Sequence, residues 1–316
     1  MIFEKINSMY KSQVYSRADD NGCVFYFTAA DFEGLKREEY SFPSCDGHTL
    51  KGAFYYYEGY DERRLVLFEH GMGSGHTGYM REIETLAKQG YKVFSYDHTG
   101  CMESGGEITG GFVQSLKDLN DAMNALKADE KYKNLSFSVV GHSWGAFSTM
   151  NICALHPDVT HIVAMSGYIS VKDVLKQFLG PFYKKIYEKE EKANPDFINY
   201  NAVTSLENSN VKALIITSDD DRTINCKKHF DVLKNKLGHK ENITFLKLTG
   251  KNHNPNYTFD AVKYKDAFFK EYSAVMKKQL IKTEGDKKAF KARFDWKCMT
   301  EQDEKLWNII FEHLQK

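Results

Sequence analysis

The sequence predicts an α/β protein: one domain built on a mostly parallel sheet with helices on both faces. Three observations lead there. Short apolar runs alternate with helical stretches of about a dozen residues, which is the pattern of strands joined by crossover helices. Two of those runs are followed at once by glycine-rich loops, His70-Gly-Met-Gly-Ser-Gly75 and Asp97 to Gly106, too rich in glycine to continue as strand or helix. Across 316 residues there is no internal repeat and no low-complexity linker. A single domain over 1–316 with insertions is therefore expected.

In chain order, residues 1–35 carry aromatics without clear period and read as a helical or irregular arm packed on the domain, with no visible chemistry. Residues 36–42 and 49–57 read as a strand pair joined by the Cys45-Asp46-Gly47 turn, an antiparallel start. Further strands are expected at 65–68, 91–96, 137–140, 161–165, 211–217 and 243–248. Between them fall a helix with Tyr79, Ile83 and Leu86 on one face, another carrying Leu116, Leu119, Met123 and Leu126, and helical segments at 146–156 and 226–238.

Residues 167–210 form the longest insertion. Their apolar positions, Val171, Val174, Leu175, Phe178 and Leu179, then Phe182, Tyr183, Ile186 and Tyr187, make a helical stripe interrupted by Gly180-Pro181. The pair packs on the core or, more sharply, forms a cap whose Phe178 and Phe182 face a substrate pocket, since segments at strand ends sit where open α/β sheets bind ligands. Residues 258–316 read as a helical extension with a packing role. One helix there carries Phe268, Phe269, Tyr272, Met276 and Leu280. A last one starts at a capping box Thr300 to Asp303 and buries Leu306, Ile309, Ile310 and Leu314.

Composition narrows the function classes. Lys+Arg and Asp+Glu both number 43, and no basic stripe marks a nucleic-acid or anionic-membrane partner. Six scattered cysteines without C-x-x-C argue against a disulfide framework or a zinc site, so no metal is expected. The start Met1-Ile-Phe-Glu-Lys lacks the marks of a signal peptide, and no run approaches the ~20 apolar residues of a membrane span. A soluble, cytoplasmic protein is expected, with no reading of its oligomeric state.

The chemistry centres on Gly141-His142-Ser143-Trp144-Gly145, which follows the apolar run 137–140. Glycines at both ends allow a turn too tight for a Cβ, lifting Ser143 Oγ on a strand-to-helix bend whose helix aims N–H groups at the reacting atom. A serine hydroxyl needs a base and an acid to orient that base. His253, after the last strand, is the candidate base. The acid is one of Asp219-Asp220-Asp221 after the preceding strand, with Asp221 favoured for its reach and Asp220 the alternative. Oxyanion donors are expected from the backbone N–H groups of Trp144 and Met72.

His70-Gly-Met-Gly73, Asp97-x-x-Gly100-x-x-x-Ser104-x-Gly106, Gly141-x-Ser143-x-Gly145, Ser218-x-x-Asp221 and His253, in that order over residues 36–260, resemble the α/β-hydrolase superfamily. The nearest likeness is to the bacterial branch of serine aminopeptidases, monoacylglycerol lipases and esterases. The resemblance implies the α/β-hydrolase fold with an eight-stranded sheet, a Ser-His-Asp triad, acyl-enzyme chemistry and no cofactor. The chain departs from the pattern at Met102, where a second glycine is frequent, at Thr99, where arginine is common, and at Ser218, where glycine usually stands. The leading reading is a serine hydrolase of carboxylesterase type (EC 3.1.1) acting on a small-molecule acyl substrate. Thioesterase, lipase and aminopeptidase activities, or a non-catalytic small-molecule-binding role, are the alternatives.

Overall fold

The structure, a computed structural model, describes residues 2–19, 24–73 and 75–316; Cys23 and Ser74 lie outside them. Eight strands form one sheet: β1 Lys36–Pro43, β2 Thr49–Tyr56, β3 Arg64–Glu69, β4 Lys92–Tyr96, β5 Ser136–His142, β6 His161–Met165, β7 Lys212–Ser218 and β8 Ile243–Leu248. Their spatial order is β1-β2-β4-β3-β5-β6-β7-β8. β1 and β2 pair antiparallel from Lys36 opposite Tyr56 to Pro43 opposite Thr49, and β2 joins β4 antiparallel. Every later pairing is parallel. All eight expected strands are present, each end within two residues of the expected bound.

The central strands β3 to β7 read as continuous apolar runs because both faces are covered, whereas the edge strands β1 and β8 stay partly exposed. Alternation divides each run between two cores. Leu65, Leu67, Val139 and Ile162 join one cluster, and Val66, Phe68, Val140 and Val163 join the other. Helix α1 (Ile2–Tyr10) begins the chain, and α2 (Met80–Lys88) follows the first glycine loop. Helices α3 (Gln114–Ala128) and α4 (Trp144–Asn151) cover the first face with Leu116, Leu119, Ala146 and Phe147. On the second face α2 contributes Ile83 and Leu86.

The insertion folds as α5 (Val171–Leu179), a short turn at Gly180–Phe182, α6 (Tyr183–Ala193) and α7 (Ala202–Glu207). Ser170 caps α5 by accepting from Asp173 N at 3.2 Å. α8 (Phe230–Leu237) starts later than the expected helix from 226. Beyond β8 come α9 (Phe259–Lys277), α10 (Glu284–Lys291), α11 (Trp296–Met299) and α12 (Glu304–Gln315). Leu280 therefore lies past the end of α9. Two further details differ from expectation in α12. Its cap is Asp303, which accepts from Lys305 N and Leu306 N, rather than Thr300. Ile309 points to solvent, while Leu306, Trp307, Ile310 and Leu314 seal the second core.

The arm is tied to the second glycine loop rather than merely lying on the surface. Arg17 Nη1 donates to the carbonyls of Ser104 and Gly106 at 3.0 and 2.7 Å, and its Nη2 donates to Met102 O. Met102 takes a φ of 42°, a conformation that glycine adopts without a Cβ penalty, so the arm fixes the loop at the point where the chain departs from the glycine pattern. Among the described residues no helix is long and apolar enough to cross a membrane, and no cluster of three His, Cys, Asp or Glu is placed to hold a metal ion.

Candidate active site

Ser143 stands between β5 and α4 with φ 56° and ψ −112°, and its N–H donates to Met165 O at 2.8 Å. A side chain held at positive φ is strained, and the flanking glycines explain why the strain persists. A Cβ on Gly145 would sit 2.2 Å from the Glu69 carbonyl oxygen, and one on Gly141 would sit 2.3 Å from Thr149 Oγ1. The bend therefore tolerates no side chain at either end. The serine Oγ is left partly exposed at the carboxyl end of the sheet.

His253, in the loop after β8, places Nε2 2.9 Å from Ser143 Oγ and Nδ1 2.8 Å from Asp221 Oδ2. Asp221 is fully buried at its side chain, and its other oxygen accepts from the N–H groups of Thr223 and Ile224 at 2.8 and 2.9 Å. Asp220 faces away from the imidazole. Its Oδ1 gathers Ser218 Oγ, Gly250 N at 3.0 Å and Asn252 N at 3.1 Å, pinning the loop that carries His253. Asp219 Oδ2 accepts from Thr249 Oγ1 at 2.9 Å. The three adjacent aspartates thus have three separate partners.

Two further histidines, present in the motifs but given no role by them, position this line. The neutral His70 ring donates from Nδ1 to Gly71 O at 2.7 Å and accepts from His98 N at Nε2, 3.0 Å; burial and the neighbouring His98 hold its pKa well below the ordinary value. Because N–H and C=O of a trans peptide point oppositely, fixing the Gly71 carbonyl turns the Met72 N–H away from His70. Among the described residues neither the Met72 nor the Trp144 N–H finds an acceptor. His142 donates from Nε2 to His253 O at 2.7 Å and accepts at Nδ1 from Tyr79 OH at 2.9 Å. Burial and the adjacent His253 depress its pKa too, which keeps this tautomer. Tyr79 OH also packs on Gly71, where a Cβ would lie 2.3 Å away. Tyr79 had no signal in the sequence beyond its helix face.

Beneath the Met72 loop, His98 sits between Glu69 Oε2 at 3.4 Å and Asp118 Oδ2 at 3.3 Å, all three buried. Burial opposes the His98 charge, yet Asp118 and Glu69 hold its pKa above the ordinary value. Burial pushes Glu69 up to about 7. These groups stiffen the floor and do not reach the cavity above it.

That cavity has a volume of about 380 Å³ and is lined by Ser143, Met72 and Trp144. Leu175 and Phe178 of α5 form part of its wall, with Phe178 stacked on Phe112 at 6.3 Å. Phe182 is not on the wall; it is 42% exposed, because the turn at Gly180, with φ 52°, swings it out of the α5 stripe. The arm supplies a wall the sequence did not disclose. Met9, Tyr10, Gln13 and Val14 line the cavity, with Tyr10 OH hydrogen-bonded to the buried Glu190 of α6.

The model of the family described as serine aminopeptidase, S33, matches residues 60–208. The uncharacterized protein YqkD of Bacillus subtilis (strain 168) is 24% identical over 143 residues, 45% of this chain and 45% of that protein. Less than half of YqkD is thus spanned by the likeness. Among solved structures, the esterase Pf2001 of Pyrococcus furiosus aligns with a TM-score of 0.59 and 20% identity over 83% of this chain and 96% of that one. The α/β hydrolase GrgF from Penicillium sp. sh18 aligns with a TM-score of 0.52 and 17% identity over 81% and 99%. The strand order and the elbow at Ser143 agree with these structures: the chain has the α/β-hydrolase fold, and its residues 60–208 are similar to the serine aminopeptidase family.

Proposed function

We propose that the protein is a serine hydrolase that cleaves a carboxylic ester of an apolar acyl group through an acyl-enzyme intermediate. The observation that carries this reading is the hydrogen-bonded line Ser143–His253–Asp221 opening onto a mainly apolar cavity of about 380 Å³. In the first half-reaction His253 Nε2 takes the Ser143 proton as Oγ attacks the carbonyl carbon. Asp221 stabilises the imidazolium, and the Met72 and Trp144 N–H groups receive the oxyanion. Collapse breaks the ester C–O bond, and His253 returns the proton to the departing oxygen. Water then repeats the sequence on the acyl-enzyme and releases the acid.

No carboxylate is found among the described residues lining the cavity, so a free amino group has no counter-charge there. That favours an esterase over an aminopeptidase reading. Leu175, Phe178, Phe112 and Tyr168 suit an unbranched or aromatic acyl chain. The test is labelling by a fluorophosphonate together with turnover of p-nitrophenyl esters of increasing chain length. Labelling and turnover that Ser143→Ala abolishes are expected; an unlabelled, inactive wild-type protein would overturn the proposal.

A further inference from the structure

A second cavity, of about 310 Å³, lies on the other side of Met72, which lines both. Its wall includes Tyr79 and Asn254, the residue after His253. The remaining apolar wall comes from the arm and the C-terminal extension, with Phe27, Phe268, Trp296 and Met299. Two cations complete it, Arg81 and Lys265.

The two cations are unequally compensated. Lys265 Nζ donates to Asn254 Oδ1 at 2.9 Å and sits 4.9 Å from the Tyr257 ring centre. Burial draws its pKa down to about 8, while the charges of Glu82 and Asp266 partly restore it, so it stays cationic at neutral pH. Arg81 lies over the Phe32 ring at 5.8 Å, and its buried Nε has no hydrogen-bond partner among the described residues. No described carboxylate lines the cavity. An unpaired buried donor on a guanidinium is costly, and a carboxylate answers it with a charge-assisted, forked geometry. One uncompensated positive charge among aromatic walls calls for an apolar monoanion.

The place of the cavity assigns the role. An ester carbon held between Ser143 and the Met72 N–H sends its acyl chain one way and its oxygen substituent the other. The departing oxygen must lie towards His253, which protonates it. The cavity containing Ser143 and Trp144 therefore suits the acyl chain, and the cavity flanked by Asn254 suits the alcohol.

Resting on the serine hydrolase reading above, we infer that the Arg81–Lys265 cavity is a leaving-group subsite for an aromatic or aliphatic alcohol that carries a carboxylate. Two substrates with the same acyl chain and nearly the same phenol isolate the charge: 4-(2-carboxyethyl)phenyl hexanoate and the corresponding primary amide. The wild-type kcat/KM is expected to favour the carboxylate about tenfold, the scale of one charged hydrogen-bonded contact. In Arg81→Gln the ratio should fall to within about twofold of one, while Arg81→Lys, which keeps the charge and loses the fork, should give an intermediate ratio. Equal turnover of the two esters by wild type, or a tenfold preference surviving in Arg81→Gln, would overturn the inference. Calorimetry on Ser143→Ala separates the subsite from the chemistry. Binding of 3-(4-hydroxyphenyl)propanoate at least tenfold tighter than its amide supports the subsite even if neither ester turns over, an outcome that would sink the hydrolase reading alone. Equal binding of acid and amide sinks the subsite.

Discussion

His142 Nε2–H donates to the main-chain carbonyl of His253 at 2.7 Å, so the residue immediately before the elbow serine grips the loop that carries the imidazole facing it. Replacing His142 is therefore expected to act through geometry. His142→Ala should lower kcat about 10²-fold, the cost of a misplacement near 1 Å, with KM little changed. His142→Gln, which can still present a donor near the Nε2 position, should lose less. Tyr79→Phe, which removes the donor to His142 Nδ1, should fall about tenfold in kcat. Parallel loss in fluorophosphonate labelling rate and in kcat is the check; a loss confined to KM would contradict it.

The separate bonding of the two aspartates sets a second comparison. Asp221→Asn removes the carboxylate that faces His253 Nδ1 and should cost about 10³-fold or more in kcat. Asp220→Asn leaves that contact and loosens the Gly250 to Asn252 turn, so it should cost about tenfold at most and show chiefly as a lower melting temperature. Steady-state kinetics and thermal unfolding of the pair decide it.

Chain-length profiles should separate the two phenylalanines of the insertion. Phe178→Ala removes a ring from the cavity wall and should move the preferred acyl length upward by about two to four carbons. Phe182→Ala, outside the wall, should leave the profile where it is. A p-nitrophenyl ester series on both variants reads the difference.

Glu190 predicts a pH dependence of stability. The carboxyl is buried under Tyr10 and Phe112 N, and burial raises its pKa to about 7 from an ordinary 4.5. The folded state thus prefers the protonated acid. Its contribution is fully present below about pH 4.5 and is lost as pH rises through 7. Glu190→Gln keeps an acceptor for Tyr10 OH without the titration. Relative to this variant, wild type should lose roughly 3 kcal/mol between acid and pH 8. Urea unfolding of both proteins at pH 5.5 and pH 8 should show the gap opening in the variant's favour at the higher pH.

How much of this was legible in the sequence depended on how local the signal was. The five central strands, β3 to β7, showed as apolar runs because both faces are covered, and the elbow showed because Gly141, Ser143 and Gly145 meet its steric demands within five residues. Asp221 could be preferred over Asp220 only by reach, since neither sequence position reveals that Gly250 and Asn252 capture the neighbour. Phe182 belonged to a helical stripe on paper, but Gly180 breaks the helix and turns the ring outward. The Tyr79–His142–His253 chain and the arm's place beside Ser143 bring together residues separated by 63 to 134 positions in the chain, beyond the reach of any periodicity.

The arm that walls one cavity and the terminal helices that wall the other both lie outside the stretch 60–208 that the family model matches. Ser143, Met72 and Trp144, the proposed nucleophile and oxyanion donors, lie within it, as do Leu175 and Phe178 of the first cavity's wall, whereas Asp221 and His253 lie beyond it. The arm and the terminal helices thus add cavity walls from outside the segment, residues 143–253, that holds the proposed triad. Chimeras that exchange residues 1–35 and 258–316 between proteins of this fold should shift the range of molecules accepted while leaving the bond that is broken the same, which makes the two ends a practical place to redesign what this protein acts on.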